Sequence, residues 1–157
     1  MTLPVRFSAN GVLVDENRVL LNHLRHERTG DFYNVPGGGV RLGESLHEAT
    51  VREVSEETGY AVTVDELLWI NEDVAAGEGV GSLFPPGFHG LNFFFRCSLA
   101  GPALAQAHEA DEFQIGVEWV DARSLSTIQL LPPVLVPYLE AFLADRTVLG
   151  PTYLGVG

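Results

Sequence analysis

The sequence predicts an α/β fold, an α/β/α sandwich in which a central mixed β-sheet lies between two helices. Apolar runs rich in β-branched and aromatic residues, typical of strands, recur along most of the chain. Two segments have helical periodicity instead, "SLHEATVREVSEET" and "PPVLVPYLEAFLAD". Neither an internal repeat nor a linker divides the 157 residues, a length typical of one domain. A sheet flanked by two helices packs as three layers around its core. We therefore expect a single domain over residues 1–157.

The first elements are predicted to be a β-hairpin followed by a short strand. "VRFSANGVLV" and "RVLLNHL" favour strands, and the "DEN" between them is a turn signal. "DFYNV" is the next strand, and it ends at Pro36 before three glycines. The hairpin and this strand therefore lead directly into a glycine-rich segment.

The first helix has clear signals at both ends. Ser45 is the expected N-cap, and Glu48 three residues later completes a capping box. Gly59 is the expected left-handed C-cap. The stripe predicted to face the core consists of Val51, Val54 and Thr58.

The second half of the chain is predicted to alternate strands with long loops. "AVTVDELLWINEDV", "LNFFFRCSL" and "FQIGVEWV" favour strands, while residues 75–90 and 101–112 are loops rich in turn-forming residues. "DARSLS" predicts a short helical turn before the second helix. The tail "RTVLGPTYLGVG" shows no clear pattern, and it can pack on a partner or cover its own core.

Charge and cysteine content exclude several classes of partner. The formal net charge is −12, which repels nucleic-acid polymers and anionic membranes. Small phosphate ligands are not excluded, because a bound divalent cation would make the local electrostatic potential positive. Cys97 is the single cysteine, which suits a reducing compartment, and we expect it to be a buried, inert thiol. With no signal peptide pattern and no run long enough to span a bilayer, we expect a cytoplasmic protein.

Three glutamates crowd the last turns of the first helix. At about 100° per residue, Glu53, Glu56 and Glu57 share one arc of about 100°. Like charges four residues apart destabilise a helix, and carboxylates near its C-terminus oppose the macrodipole. Arg52 can pair with Glu56 but cannot neutralise three carboxylates.

This cluster has two interpretations. A solvated acidic face is common on helices, but it predicts interspersed cations, and the segment offers Arg52 alone. The other interpretation is a divalent metal site, since clustered carboxylate oxygens suit Mg²⁺ or Mn²⁺. The upstream glycines can bring backbone carbonyl or N–H groups near such a metal.

The residues from Gly38 to Tyr60 resemble the Nudix box, G-x5-E-x7-R-E-U-x-E-E-x-G-U, in which U is a bulky apolar residue. Gly38 is followed by five residues and Glu44, and residues 52–60 fill the remaining defined positions. Tyr60 stands where an aliphatic residue is more usual. "FYNVPGG" and "VEWV" extend the similarity to about residues 5–144, so the chain is identified as a member of the Nudix family with its box at 38–60.

The resemblance implies a Nudix-type α/β/α sandwich and hydrolysis of a diphosphate linkage in a nucleoside diphosphate-X compound. Mg²⁺ or Mn²⁺ would be the cofactor, neutralising the diphosphate and activating water. By resemblance Glu53, Glu56 and Glu57 would bind metal, with Gly38 or Gly37 adding a carbonyl. One of these three glutamates or a later carboxylate would be the base. Arg52 would orient the carboxylates, and Glu44, which lies before the helix, would support the metal ligands without binding the metal itself.

Further site residues are expected in the loops. Glu109, Asp111 and Glu112 are candidates for an additional catalytic carboxylate, and we favour Glu112; a solvated acidic loop is the alternative. Base stacking needs an aromatic face, and Tyr33, Phe32, Trp69, Phe84 and Phe88 are candidates, with core packing as the alternative for each. Phe84 and Phe88 are the best lid candidates because they flank two prolines in a long loop. Arg25 and Arg28 can reach a phosphate or remain solvated.

The function predicted from the sequence is therefore a metal-dependent Nudix hydrolase. Its substrate is expected to be a small nucleotide-type diphosphate. The alternative is a catalytically silent Nudix domain that senses a nucleotide or binds a partner protein. A homodimer is compatible with the sequence, because the apolar tail can pack on a second copy.

Overall fold

The computed structural model describes residues 4–75, 84–102 and 112–156. Over these ranges the chain forms strands, two α-helices and one 3₁₀ helix at Ala122–Thr127. The strands and α-helices are β1 (Arg6–Asp15), β2 (Arg18–His26), β3 (Gly30–Asn34), β4 (Gly37–Gly39), α1 (Leu46–Thr58), β5 (Val62–Val74), β6 (His89–Leu99), β7 (Gln114–Asp121), β8 (Leu130–Leu131), α2 (Leu135–Asp145) and β9 (Tyr153–Val156).

The strands form one mixed sheet in the order β8-β3-β2-β1-β6-β5-β9, with β4 on β1 and β7 on β2. Strand pairs β1–β6, β3–β8 and β5–β9 are parallel, and the other pairs are antiparallel. Helix α1 packs on β1, β4 and β5, while α2 packs on the 3₁₀ helix and β8. The predicted α/β class with a central mixed sheet is confirmed.

Apolar side chains form two clusters because neighbouring residues of a strand point to opposite faces. Val12 packs in the cluster with Leu139 and Phe142 of α2. Leu13, the next residue of β1, packs in the cluster with Val54 of α1. Each helix therefore covers its own face of the sheet.

The C-terminal tail adopts one of the two arrangements expected for it. Residues 153–156 form β9, which pairs in parallel with β5, and the backbone N–H of Ile70 donates to the carbonyl of Thr152 at 2.8 Å. Leu154 packs against the α2-side core. The tail extends its own sheet, as the second alternative for it proposed. The strand was not predicted, because the glycines and the proline of the tail interrupt any regular apolar pattern.

Two predictions about buried residues have different outcomes. Cys97 is buried as expected, and burial raises the pKa of its thiol to about 12, while its inertness stays a prediction. Val51 was expected to face the core but is 39% exposed. The buried face of α1 is rotated away from it and consists of Ala49, Thr50, Val54 and Glu57.

No helix in the described part of the chain is long and apolar enough to cross a lipid bilayer.

Candidate functional site

Local signals fix the helix that carries the glutamates. Ser45 accepts the backbone N–H of Glu48, and the Glu48 carboxylate accepts the N–H of Ser45, which completes the predicted capping box. Gly59 adopts the left-handed conformation at φ 75° and ends the helix there. The two caps fix where α1 begins and ends. Residues close in sequence to the glutamates therefore determine where the glutamates lie along the helix.

Glu57 is a buried carboxylate at the C-terminal end of this helix. Its side chain is 5% exposed, and its Oε2 accepts from Asn22 Nδ2 at 2.6 Å and from the backbone N–H of Gly37 at 3.0 Å. Gln114 Nε2 donates to the carbonyl of Glu57 at 3.0 Å. Strands β2, β4 and β7 therefore all hold the end of α1 in place. A buried carboxylate held by hydrogen bonds is a preorganised oxygen donor.

Arg52 connects the remaining carboxylates. Its Nε and Nη2 donate to the two oxygens of Glu44 at 2.7 and 2.9 Å, a bidentate pair. Its Nη1 donates to Glu53 at 2.7 Å and to Glu56 at 3.2 Å. Its Nη2 also donates to the carbonyl of Gly39 at 3.0 Å. Because one guanidinium serves three carboxylates, Arg52 orients them without neutralising them.

The Arg52–Glu44 pair shifts both pKa values. The hydrogen bonds from Arg52 and from the backbone N–H of Arg41 lower the pKa of Glu44 to about 2. The same contact with Glu44 raises the pKa of Arg52 above its ordinary value. Both groups are therefore charged over the whole neutral range, as an orienting pair requires.

The glycines of β4 make room for the carboxylate of Glu53. A Cβ atom on Gly38 would lie 2.6 to 2.8 Å from the carboxylate atoms of Glu53. Antiparallel pairing of β4 with β1 fixes this approach, with Gly38 opposite Ala9. The Gly38 backbone and the Glu53 oxygens thus share a space that any side chain at position 38 would fill.

These donors suit a hard divalent cation. Carboxylate oxygens beside a glycine backbone match the ligands that Mg²⁺ and Mn²⁺ prefer. Among the residues that the structure describes, three acidic, histidine or cysteine side chains do not converge around one point. The contacts of Arg52 account for this, because its Nη1 draws the oxygens of Glu53 and Glu56 to itself. By the chemistry of their oxygen donors, the residues present therefore fit a hard divalent cation.

A cavity of about 680 Å³ lies near β4, and its described lining includes none of the four glutamates. Asn10 and Val35 line it, and Asn10 is opposite Gly37 in the pairing of β1 with β4. Phe84 and Phe88 also line it, their rings parallel with centroids 4.3 Å apart. The structure thus brings the two predicted lid phenylalanines to a cavity large enough for a nucleotide-sized ligand.

Arg6 lies between the cavity and the glycine strand. Its guanidinium would be 2.9 Å from a Cβ on Gly39, and it also lines the cavity. Among the described contacts Arg6 makes no ion pair, whereas Arg25 and Arg52 are bound to carboxylates. In a chain with a net charge of −12, such an arginine is available to an anionic ligand.

Other predicted site residues lie elsewhere. Tyr33 stacks on His23 with ring centroids 4.5 Å apart, and its hydroxyl lies 3.4 Å from Glu118, on the face of β3 opposite the cavity-lining Phe32. Trp69 is fully buried in the core, so core packing is the correct interpretation for it. Arg28 is exposed in the turn between β2 and β3, and it does not line the cavity.

The later carboxylates are only partly described. Glu112 is exposed and lies two residues before Gln114, the residue that contacts the end of α1. The catalytic role of Glu112 stays a prediction. Glu109 and Asp111 lie outside the described residues.

Sequence reasoning missed Asn22, Gln114 and Arg6. Asn22 is a polar residue within the apolar run "RVLLNHL" and is 2% exposed, so its position in that run was a usable signal of a buried polar contact. Gln114 and Arg6 have no such signal, because their contacts depend on how distant strands are arranged.

The structure is an α/β fold with a cluster of carboxylates on its first helix and a nucleotide-sized cavity. The family model of the NUDIX domain matches residues 4–142, and the chain belongs to the Nudix family. Its sequence is 35% identical over 63 residues to an ADP-ribose pyrophosphatase of Methanocaldococcus jannaschii, covering 40% of this chain and 37% of that protein. It is 27% identical over 160 residues to an RNA pyrophosphohydrolase of Gluconobacter oxydans, covering 90% of this chain and 89% of that protein.

A solved structure has the same fold. A NUDIX hydrolase from Nitrosomonas europaea superposes with a TM-score of 0.71 at 21% identity, covering 91% of each chain. This likeness shows the fold. The chain spans 26% to 42% of the lengths of four curated relatives that it matches.

Proposed function

We propose that this chain hydrolyses a diphosphate linkage in a nucleoside diphosphate-X compound with the help of Mg²⁺ or Mn²⁺. The observation that carries the proposal is the glutamate cluster of α1, in which Arg52 and Glu44 orient two carboxylates and Asn22 and Gly37 hold a third. The names of relatives support it, since two of them are pyrophosphatase or pyrophosphohydrolase names.

Each residue has a role in this proposal. Glu53, Glu56 and Glu57 would hold the metal, and the backbone carbonyl of Gly38 would complete its ligands. When bound, the metal supplies positive charge to the diphosphate oxygens and lowers the pKa of water. Glu56, Glu57 or Glu112 would accept a proton from the attacking water.

The substrate would be held by groups around the cavity. Arg6 would contact a phosphate oxygen through its guanidinium. Phe84 and Phe88 would provide an aromatic surface for the rest of the substrate. Tyr33 and Arg28 were also predicted to bind substrate, and that role would require contacts outside this cavity.

The test measures hydrolysis across a nucleotide library with and without Mg²⁺ or Mn²⁺. The library contains dNTPs, ADP-ribose, dinucleoside polyphosphates, nucleotide sugars and a 5′-triphosphorylated RNA. The RNA is included because of the Gluconobacter relative, although the net charge of −12 opposes binding of a polyanion. Glu57→Gln keeps the size of the side chain and removes the charge, and Glu140→Gln on α2 is the matched control.

We expect metal-dependent turnover of one class of compound, reduced at least about 100-fold in Glu57→Gln and unchanged in Glu140→Gln. Folded protein that turns over no compound with either metal would refute the proposal. That outcome would favour the alternative, a nucleotide-sensing or partner-binding domain.

A further inference from the structure

A side-chain amide on β7 approaches the buried end of α1. The Nε2 group of Gln114 donates to the backbone carbonyl of Glu57 at 3.0 Å and lies 3.4 Å from the carbonyl oxygen of Gly116. It also donates to Oδ1 of Asn22 at 3.4 Å. Asn22 in turn donates through Nδ2 to the Glu57 carboxylate at 2.6 Å. Gln114 therefore contacts both the helix that carries Glu57 and the residue that holds its side chain.

A β-bulge turns Gln114 toward this contact. In the pairing of β2 with β7, Asn22 is opposite Val117, and Leu24 is opposite Gln114, so β7 holds one residue more than β2 between the two pairs. Because Gln114 and Val117 are three positions apart, they would lie on opposite faces of a regular strand. The extra residue instead brings Gln114 to the face of Asn22. Bulges occur beside functional sites, where they change the direction of a side chain.

Groups that cannot exchange donor and acceptor roles determine how the two amides are oriented. Backbone carbonyls only accept hydrogen bonds, so the NH₂ group of Gln114 faces the carbonyls of Glu57 and Gly116. Beside that NH₂ group Asn22 presents its oxygen, which directs its own NH₂ group to the Glu57 carboxylate. An ionised carboxylate also only accepts. If the Asn22 amide were reversed, two acceptors would face each other in a buried site, which costs free energy.

We propose that Gln114 is a positioning residue that sets the orientation of the Asn22 amide and thereby the position of the Glu57 carboxylate. The inference rests on the proposed function, since Glu57 is one of the glutamates that would hold the metal. Glu57 would touch the metal itself, whereas Gln114 acts on it through Asn22. The polarity of the side chain at position 114, rather than its size, then determines how well the site holds a cation.

Two substitutions separate polarity from size and charge. Gln114→Met keeps the approximate length of the side chain and removes its donor, so we expect Mn²⁺ affinity to fall about 3- to 10-fold, the effect of one hydrogen bond. Gln114→Glu keeps the size and replaces the donor with an acceptor. Its added negative charge alone would strengthen the binding of a cation. Because the new acceptor cannot donate to the carbonyls or to Asn22, we expect Mn²⁺ affinity to fall at least about 10-fold instead.

Electron paramagnetic resonance measures Mn²⁺ binding without substrate, so that hydrolysis does not enter. Gln129→Glu is the charge control, because it makes the same substitution at an exposed glutamine, and we expect it to bind Mn²⁺ at least as tightly as wild type. The double variant Asn22→Ala with Gln114→Glu tests whether Gln114 acts through Asn22. We expect its Mn²⁺ affinity to lie within about 2-fold of that of Asn22→Ala alone, because the connecting amide is then absent.

Nuclear magnetic resonance of the metal-free protein shows the orientation of the amide directly. In the wild type we expect nuclear Overhauser contacts between the side-chain NH₂ protons of Asn22 and the Cγ protons of Glu57. In Gln114→Met and Gln114→Glu these contacts should weaken, because the Asn22 amide is then free to reverse. Urea unfolding of the same variants measures their stability separately, so a general loss of packing is distinguished from a reversed amide.

The outcomes separate this inference from the proposed function. Mn²⁺ binding by Gln114→Glu as tight as in wild type would refute the inference, and so would an equal loss of affinity with and without Asn22. If Gln114→Glu does not fold, the contacts in wild type and Gln114→Met decide, and unchanged contacts in Gln114→Met would refute the inference. Wild type that binds no Mn²⁺ would refute the metal-dependent function alone. Contacts of Asn22 with Glu57 that are lost in Gln114→Met would then still support positioning by Gln114.

Discussion

Three consecutive glycines allow the site's geometry to be tested one methyl group at a time. A Cβ on Gly37 would lie 2.4 Å from the carbonyl oxygen of Ala9 and 2.5 Å from Cα of Asn10. A Cβ on Gly38 would meet the carboxylate of Glu53 at 2.6 to 2.8 Å. A Cβ on Gly39 would meet only the guanidinium of Arg6, at 2.9 Å for its nearest atom. The added methyl group would therefore contact backbone atoms at position 37, a proposed metal ligand at position 38 and an exposed side chain at position 39.

The expected magnitudes follow from what can move. In Gly37→Ala the clash is with the backbone of β1, so we expect a loss of about 1–3 kcal/mol in the free energy of unfolding. In Gly38→Ala the Glu53 carboxylate must swing away and strain its 2.7 Å bond to Arg52. We expect that change to lower Mn²⁺ affinity at least about 10-fold, with an unfolding free energy within about 1 kcal/mol of wild type. Gly39→Ala displaces only the flexible end of Arg6 and should leave both quantities nearly unchanged.

Urea unfolding measures stability, and Mn²⁺ titration followed by electron paramagnetic resonance measures metal affinity without any substrate. The three variants are compared at one pH and ionic strength. If Gly38→Ala binds Mn²⁺ as wild type does, Glu53 is not held against the Gly38 backbone as the structure indicates. If Gly39→Ala loses as much affinity as Gly38→Ala, the effect comes from β4 as a whole and the reasoning from individual contacts is wrong.

Two further predictions concern the groups that hold the carboxylates. Asn22→Ala removes the amide that donates to Glu57 at 2.6 Å, so we expect Mn²⁺ affinity to fall about 10- to 100-fold. The control is Asn17→Ala, which changes an exposed asparagine and should leave Mn²⁺ affinity unchanged. Equal Mn²⁺ affinities in Asn22→Ala and wild type would show that Asn22 does not position Glu57. The folded-state pKa of Glu44, about 2, lies below its unfolded value of about 4.3, so its contribution to stability is complete above the unfolded pKa and is lost as pH falls toward 2. Glu44→Gln should therefore flatten the decline of urea stability below pH 4.5, and a decline as steep as in wild type would contradict this.

The first helix could be predicted well because its signals are local. The capping residues Ser45, Glu48 and Gly59 lie within one turn of the ends that they fix, and all three act as predicted. Helical geometry also placed the glutamates on one arc beside Arg52. The contact of Arg52 with Glu56 was expected from their spacing of four residues, whereas the bidentate contact of Arg52 with Glu44 was not predicted.

The surroundings of the glutamates could not be predicted in the same way. The helical wheel placed Val51 toward the core, yet Glu57 is buried and Val51 is 39% exposed. The face of a helix that is buried depends on which strands it packs against, and Glu57 is held by Asn22 and Gly37 from two other elements. The cavity depends similarly on β3, β5 and β6, which are distant in sequence and meet only in the folded sheet.

Charge balance explains why the sequence maintains such a crowded turn. Glu44, Glu53, Glu56 and Glu57 contribute four negative charges. Arg52 contacts three of these glutamates, and exposed Arg41 approaches Glu56 at 3.7 Å. The four carboxylates therefore carry two more charges than the two guanidinium groups, and one divalent cation would balance this difference. A diphosphate brought to the cluster would increase the excess, so it can bind there only with added cations. Under the proposed function, the repulsion within the free helix is relieved when metal and substrate bind together, and that relief contributes to binding.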